Sequence, residues 1–128
     1  HHPTEIAATI SAIKEAWPEK RLVVLFQPHR YSRTKALFEE FQTSFHQANV
    51  LAMTGVYAAS EEPIDGITGE NLLDQIRLHG QRHTHYFPDV NTMANELLPH
   101  LKDGDLVLTL GAGNIVKVGE ELLDLLEE

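Results

Sequence analysis

Two arginines and a histidine stand close together in the run Gln27-Pro28-His29-Arg30-Tyr31-Ser32-Arg33-Thr34, directly after the apolar stretch Leu22 to Phe26. Guanidinium forks bind carboxylate or phosphate through paired, charge-assisted hydrogen bonds. A helix start adds backbone N–H groups that lack intrahelical partners. Arg30 and Arg33 are three apart where a helix-like segment opens, so both can converge on one oxyanion. Surface pairing with Glu39 or Glu40 is the plainer alternative. His29, in the same turn, can position a ligand carbonyl, shuttle a proton or cap the helix; a general-base role requires a reacting partner that the sequence does not reveal.

Other candidates are weaker. The long polar connection Gly55 to Gly69 carries Tyr57, Glu61 and Glu62, and a loop of that length points to function. Glu61 is a candidate for touching a ligand ammonium or a metal, although adjacent loop carboxylates are usually solvated. Gly111-Ala112-Gly113-Asn114 follows the last apolar run rather than the first, and Val116 stands where a dinucleotide fingerprint needs a third glycine. It reads as a tight strand-to-helix turn with backbone N–H groups facing the cleft. No G-x-x-x-x-G-K-[ST] pattern exists, so the chain has no recognisable triphosphate cradle. His83 and His85 alternate in a strand candidate with no third ligand nearby, which favours a solvated sheet edge over a metal site.

The elements that must position these residues follow from apolar spacing. Ile6, Ile10, Ile13 and Trp17 recur at helical intervals behind Pro3, predicting a helix over 3–17. Leu22 to Phe26 is a continuous β-prone run, as expected of a strand covered on both faces. Helical spacing returns over 35–47 until Asn49. Strands are predicted at 50–54, 83–87 and 105–110, and helices at 70–79, from Asn91 through Leu98, and at 115–126. The order αβαβαβαβα predicts a three-layer α/β domain with a mostly parallel sheet and helices on both faces. Ligands of such folds meet the loops after the strands, here 27–34, 55–66, 88–90 and 111–114.

The 128 residues, 42% apolar, are the size of one domain with one core. A formal charge of −9, from 10 basic and 19 acidic residues, argues against nonspecific nucleic-acid or membrane-surface binding. There is no cysteine, hence no disulfide framework, and no run approaches a membrane span of about 20 apolar residues. A soluble, cytoplasmic protein is the expectation. The abrupt start at His1-His2-Pro3 reads either as a tag scar or as the cut edge of a longer protein.

Four segments, taken in order, resemble the C-terminal domain of the Mur ligases. They are His1-His2-Pro3-Thr4-Glu5, Phe26 to Thr34, Val56-Tyr57-Ala58-Ala59 with Glu61-Glu62-Pro63-Ile64, and Thr109 to Ile115. The Q-P-H-R-Y-x-R-T stretch resembles that of the alanine-adding members and their nearest relatives. The resemblance covers the whole chain and favours His1-His2 as native. It implies a Rossmann-like domain spanning 1–128, from a bacterial cytoplasmic, ADP-forming carbon–nitrogen ligase of peptidoglycan precursor synthesis. An N-terminal domain for the UDP-sugar and a central domain for ATP and Mg2+ are implied outside this chain. The implied reaction converts the carboxylate of UDP-N-acetylmuramate to an acyl phosphate, which the amine of L-alanine attacks. Arg30 and Arg33 would hold the alanine carboxylate, with His29 and His1 lining the amino acid and the acyl end. Tyr57, Glu61, Gly111, Gly113 and Asn114 remain cleft-lining candidates; no residue is singled out as catalytic and none as a metal ligand. The isolated domain is expected to be inactive. An autonomous α/β module that binds a small anion without ligase activity is the alternative.

Overall fold

The computed structural model describes residues 2–111 and 113–127. Helix α1 (Pro3–Ala16) leads into strand β1 (Leu22–Phe26), then helices α2 (Tyr31–Ala36) and α3 (Phe38–Phe41) and strand β2 (Val50–Met53). Helix α4 (Gly69–Leu78), strand β3 (Thr84–Tyr86), helix α5 (Met93–Leu97), a 3-10 turn (Leu98–His100), strand β4 (Leu106–Leu110) and helix α6 (Ile115–Leu126) complete the order. All strand pairs are parallel and the sheet order is β3-β2-β1-β4. Among the described residues no helix is long and apolar enough to cross a membrane.

The continuous apolar runs make sense because the central strands are covered on both sides. On one face Leu22, Val24, Phe26, Leu51 and Met53 pack under Ile6 and Ile10 of α1, Phe41 of α3, Phe45, and Leu72 and Ile76 of α4. Leu25 and Ala52 point to the opposite face, against Met93 and Leu97 of α5 and Ile115, Val118 and Leu122 of α6. The two short aromatic contacts, Phe26 to Phe41 at 5.4 Å and Phe26 to Phe45 at 5.0 Å between centroids, anchor the carboxyl end of β1. That end carries the arginine run.

Asn49, expected only to break a helix, stitches three elements. Its Oδ1 accepts from the Leu22 N–H at 2.7 Å and from Lys14 Nζ at 2.8 Å, and its own N–H donates to the Leu22 carbonyl. The long helix predicted over 35–47 is instead two short helices interrupted at Leu37 (φ −111°, ψ 13°), followed by turns. Tertiary contacts stabilise those turns: buried Gln81 donates from Nε2 to the carbonyls of Phe45 (2.8 Å) and Ala48 (2.7 Å). Asn91 does not cap α5, which begins at Met93; its N–H donates to Asp89 Oδ1. The predicted strand over 83–87 shortens to Thr84–Tyr86 at a sheet edge, leaving His83 outside it and His85 half-buried against His100 and Phe87 rather than solvated.

Strand order reverses direction between β1 and β4. The chain steps outward from β1 to β2 and β3, then returns to place β4 on the other side of β1. The helices that follow β1 and β4 pack on opposite faces of the sheet, and it is at such a switch point, on the carboxyl edge, that folds of this kind bind ligands.

Candidate functional site at the carboxyl edge of the sheet

Gln27 is the first residue beyond β1 and is only 4% exposed. Its Oε1 accepts from the Asn114 N–H at 3.2 Å, and its Nε2 donates to the Gly55 carbonyl at 3.4 Å. One side chain thus ties together the loops that follow β1, β2 and β4. Gly111 makes this closeness feasible. It sits at φ 134°, and a Cβ there would fall 2.6 Å from the Gln27 carbonyl oxygen.

Beyond Gln27 the first loop is clasped to the loop after β2. The Tyr57 N–H donates to the Pro28 carbonyl at 2.8 Å and the Arg30 N–H to the Tyr57 carbonyl at 2.7 Å, forming an isolated parallel bridge between His29 and Tyr57. Their rings stack, with centroids 5.4 Å apart and planes 8° from parallel. On the Tyr57 ring stands Gly113 of the third loop, where any Cβ would lie 2.8 Å from ring carbons. His29, Tyr57 and Gly113 form a stack drawn from three loops. Below it, a shallow cleft of about 240 Å³ is lined by residues that include Gln27, Thr54, Tyr57, Asp89 and Asn114.

Arg30 occupies the N-cap of α2 with φ 65° and ψ 139°. That backbone lies near a region visited freely by glycine alone, at a cost of about 1–3 kcal/mol. The Arg30 carbonyl is held from inside by buried Thr34, whose N–H and Oγ1 both donate to it, at 3.1 and 2.7 Å. Arg33 follows one turn later, and both arginines are exposed. Neither is ion-paired among the described residues, so the expected surface alternative with Glu39 or Glu40 is not realised there. Both guanidinium groups stand open to solvent.

The N–H groups at the start of α2 are not open as expected. Glu61 already occupies them, accepting from the Ser32 N–H at 3.0 Å and the Ser32 Oγ at 2.5 Å. These hydrogen bonds, with smaller help from the Tyr31 N–H and the Arg30 charge, hold its carboxyl below the usual range.

A family model described as "Mur ligase, glutamate ligase domain" matches residues 1–113. The chain belongs to the Mur ligase family. This Mur ligase domain is 64% identical over 98% of its length to a protein of Desulfotalea psychrophila named UDP-N-acetylmuramate--L-alanine ligase. It is 54% identical over its full length to a Geobacter sulfurreducens protein of the same name. It spans 28% of each of these curated relatives. Among solved structures, the fold matches a UDP-N-acetylmuramate-alanine ligase from Thermotoga maritima with a TM-score of 0.77 at 21% identity, covering 99% of this chain and 25% of that one. A murein peptide ligase from Psychrobacter arcticus matches with a TM-score of 0.72 at 19% identity, covering 97% and 25%. Both likenesses concern the fold.

Of the residues singled out from the sequence of this Mur ligase domain, His29, Arg30, Tyr57, Glu61, Gly111, Gly113 and Asn114 lie on the loops that follow β1, β2 and β4 and Arg33 lies in the first turn of α2, while Tyr57 and Asn114 line the cleft. His1 lies outside the described residues. His83 and His85 belong elsewhere: His85 faces His100, with ring centroids 4.3 Å apart, and stacks near Phe87 at 6.2 Å. Among the described residues no group of three or more His, Asp or Glu side chains could hold a metal ion. Sequence reasoning missed the role of Gln27 as the staple of the site. The signal was present, since a glutamine immediately after a strand buried on both faces must find partners for its amide.

Proposed function

We propose that this chain is the amino-acid-binding domain of an ATP-dependent ligase that joins L-alanine to UDP-N-acetylmuramate in peptidoglycan precursor synthesis in the bacterial cytoplasm. The observation that carries this reading is the pair Arg30 and Arg33, exposed and free of ion pairs among the described residues, directly after β1 at the point where the strand order reverses. The names of the relatives supply the substrates, and the exposed guanidinium pair suits the carboxylate that a small amino acid must present.

In this reading the two guanidinium groups clamp the alanine carboxylate, and His29, kept in place by its stack on Tyr57, lines the amino acid. His1 would line the acyl end. A clamped carboxylate leaves the amine as the free end of the ligand and directs it across the crevice. The other domains would deliver the activated carbonyl carbon there. Fixing both reactants in this way converts a bimolecular attack into an oriented one, an effect that contributes several kcal/mol. The chain itself does not fit ATP or Mg2+: it has no phosphate loop, and its described residues offer no metal-ligand cluster. The binding of both falls to the central domain, and of the UDP-sugar to the N-terminal domain, so 1–128 alone is inactive.

The test is steady-state kinetics of the full-length ligase carrying Arg30→Ala or Arg33→Ala. Loss of a charge-assisted contact raises the KM for alanine about 10- to 100-fold. The KM for ATP stays near its original value. Unchanged alanine kinetics in both variants would remove the carboxylate clamp and leave a small-anion module of other purpose.

A further inference from the structure

Three non-glycine residues among those described adopt positive φ: Arg30 at 65°, Ala59 at 50° and Ser60 at 72°. All three lie on the two loops that meet at the start of α2, and strained backbone of this kind persists where surrounding contacts over-determine it. The consecutive pair Ala59 and Ser60 reverses the chain, closed by the Glu61 N–H donating to the Ala58 carbonyl at 3.0 Å. The reversal delivers the Glu61 carboxylate to the Ser32 N–H and Oγ. A second clasp, the paired backbone hydrogen bonds joining Pro28 and Arg30 to Tyr57, lies on the other side of Arg30. Arg30 is therefore pinned between two connections to the same loop.

Resting on the proposed carboxylate clamp, we infer that Glu61 is the positioning residue of that clamp: by capping the first turn of α2 it fixes the backbone from which Arg30 and Arg33 project. In this role Glu61 acts without touching the amino acid. Its carboxylate is already committed to Ser32, and its influence on the ligand passes through the two arginines. Ser32 is its partner in this role, contributing one backbone and one hydroxyl donor. The charge of Glu61 also lies near enough to Arg30 to be felt electrostatically, so its replacement changes both the direction and the field of the clamp.

The experiment compares Glu61→Ala, Glu61→Gln, Ser32→Ala and Ser32→Thr in the full-length ligase, with Arg30→Ala and Arg33→Ala alongside. Both Glu61 variants are expected to raise the KM for alanine about tenfold or more. They should leave kcat at saturating alanine, the KM for ATP and the KM for UDP-N-acetylmuramate within about twofold. Ser32→Ala, which keeps the N–H donor, falls between Glu61→Ala and the unmodified protein, and Ser32→Thr restores the original value. An unchanged alanine KM in both Glu61 variants overturns the inference, as does a parallel loss for all three substrates with a lowered Tm, the mark of a merely structural role. A tighter alanine KM overturns it as well, since Glu61 would then compete with the ligand rather than position its receptor. If the Arg30 and Arg33 variants themselves leave alanine kinetics intact, the clamp falls first; if only the Glu61 variants do, the clamp stands without its positioning residue.

Discussion

Gln27 and Asn114 meet across the crevice where the strand order reverses, the Asn114 N–H donating to Gln27 Oε1 at 3.2 Å. The two are 87 positions apart in the chain. Because the same amide reaches the Gly55 carbonyl, a single buried side chain sets the spacing of the loops that follow β1, β2 and β4. Replacing it by Leu keeps the bulk and removes both partners. The Asn114 N–H and the Gly55 carbonyl then lose their hydrogen bonds, at a cost of about 1–3 kcal/mol. Urea unfolding of Gln27→Leu should show the midpoint falling accordingly with an unchanged slope.

Gly113→Ala tests the stack of His29, Tyr57 and Gly113. The added Cβ would stand 2.8 Å from ring carbons of Tyr57, at φ 91°. The ring must therefore move, and with it the surface on which His29 lies. Gly66→Ala is the control: its φ is 80°, but nothing lies within 4 Å of the added carbon. Both substitutions carry a backbone penalty of about 1–2 kcal/mol. Only Gly113→Ala should in addition shift the His29 imidazole resonances in an NMR spectrum. Equal spectra for the two variants would mean that the stack does not depend on Gly113.

The fold was legible because its central strands are buried on both faces, which imposes the continuous runs Leu22 to Phe26 and Val50 to Met53. The arginine run was legible for a related reason. A strand so apolar leaves no doubt where it ends, and polar residues just beyond its carboxyl end mark the crevice. What could not be read were features created by contacts remote in sequence. The turns after α3 are stabilised by Gln81, from the connection that follows α4. The capping of α2 by Glu61 depends on left-handed backbone at Ala59 and Ser60, residues whose types give no hint of it. Local propensity favours neither feature, and tertiary hydrogen bonds decide both.

His85 predicts a pH dependence of stability that is independent of the crevice. Its pKa is lowered from 6.5, first by burial and then by the positive charges of His100, Arg77 and Arg21 around it. Arg77 is held on that side by its Nε, which donates to Thr84 Oγ1, and Arg21 by its ion pair with Asp105 at 3.2 Å. A histidine whose folded pKa lies below its unfolded value binds fewer protons when folded. Between those two values the unfolded chain takes up the extra proton, so stability is intact above the unfolded value and declines as pH falls toward the folded one. Below both values the decline from this group ceases. His85→Phe removes the titrating ring while preserving the aromatic contact with Phe87. The variant should lose less stability than the parent as pH falls through and below 6.5, measured by urea midpoints at constant ionic strength. His100→Ala, which removes one of the opposing charges from an exposed position, should move His85 back toward its ordinary value in an NMR titration. Parallel pH profiles for His85→Phe and the parent would mean that other groups govern the acid limb.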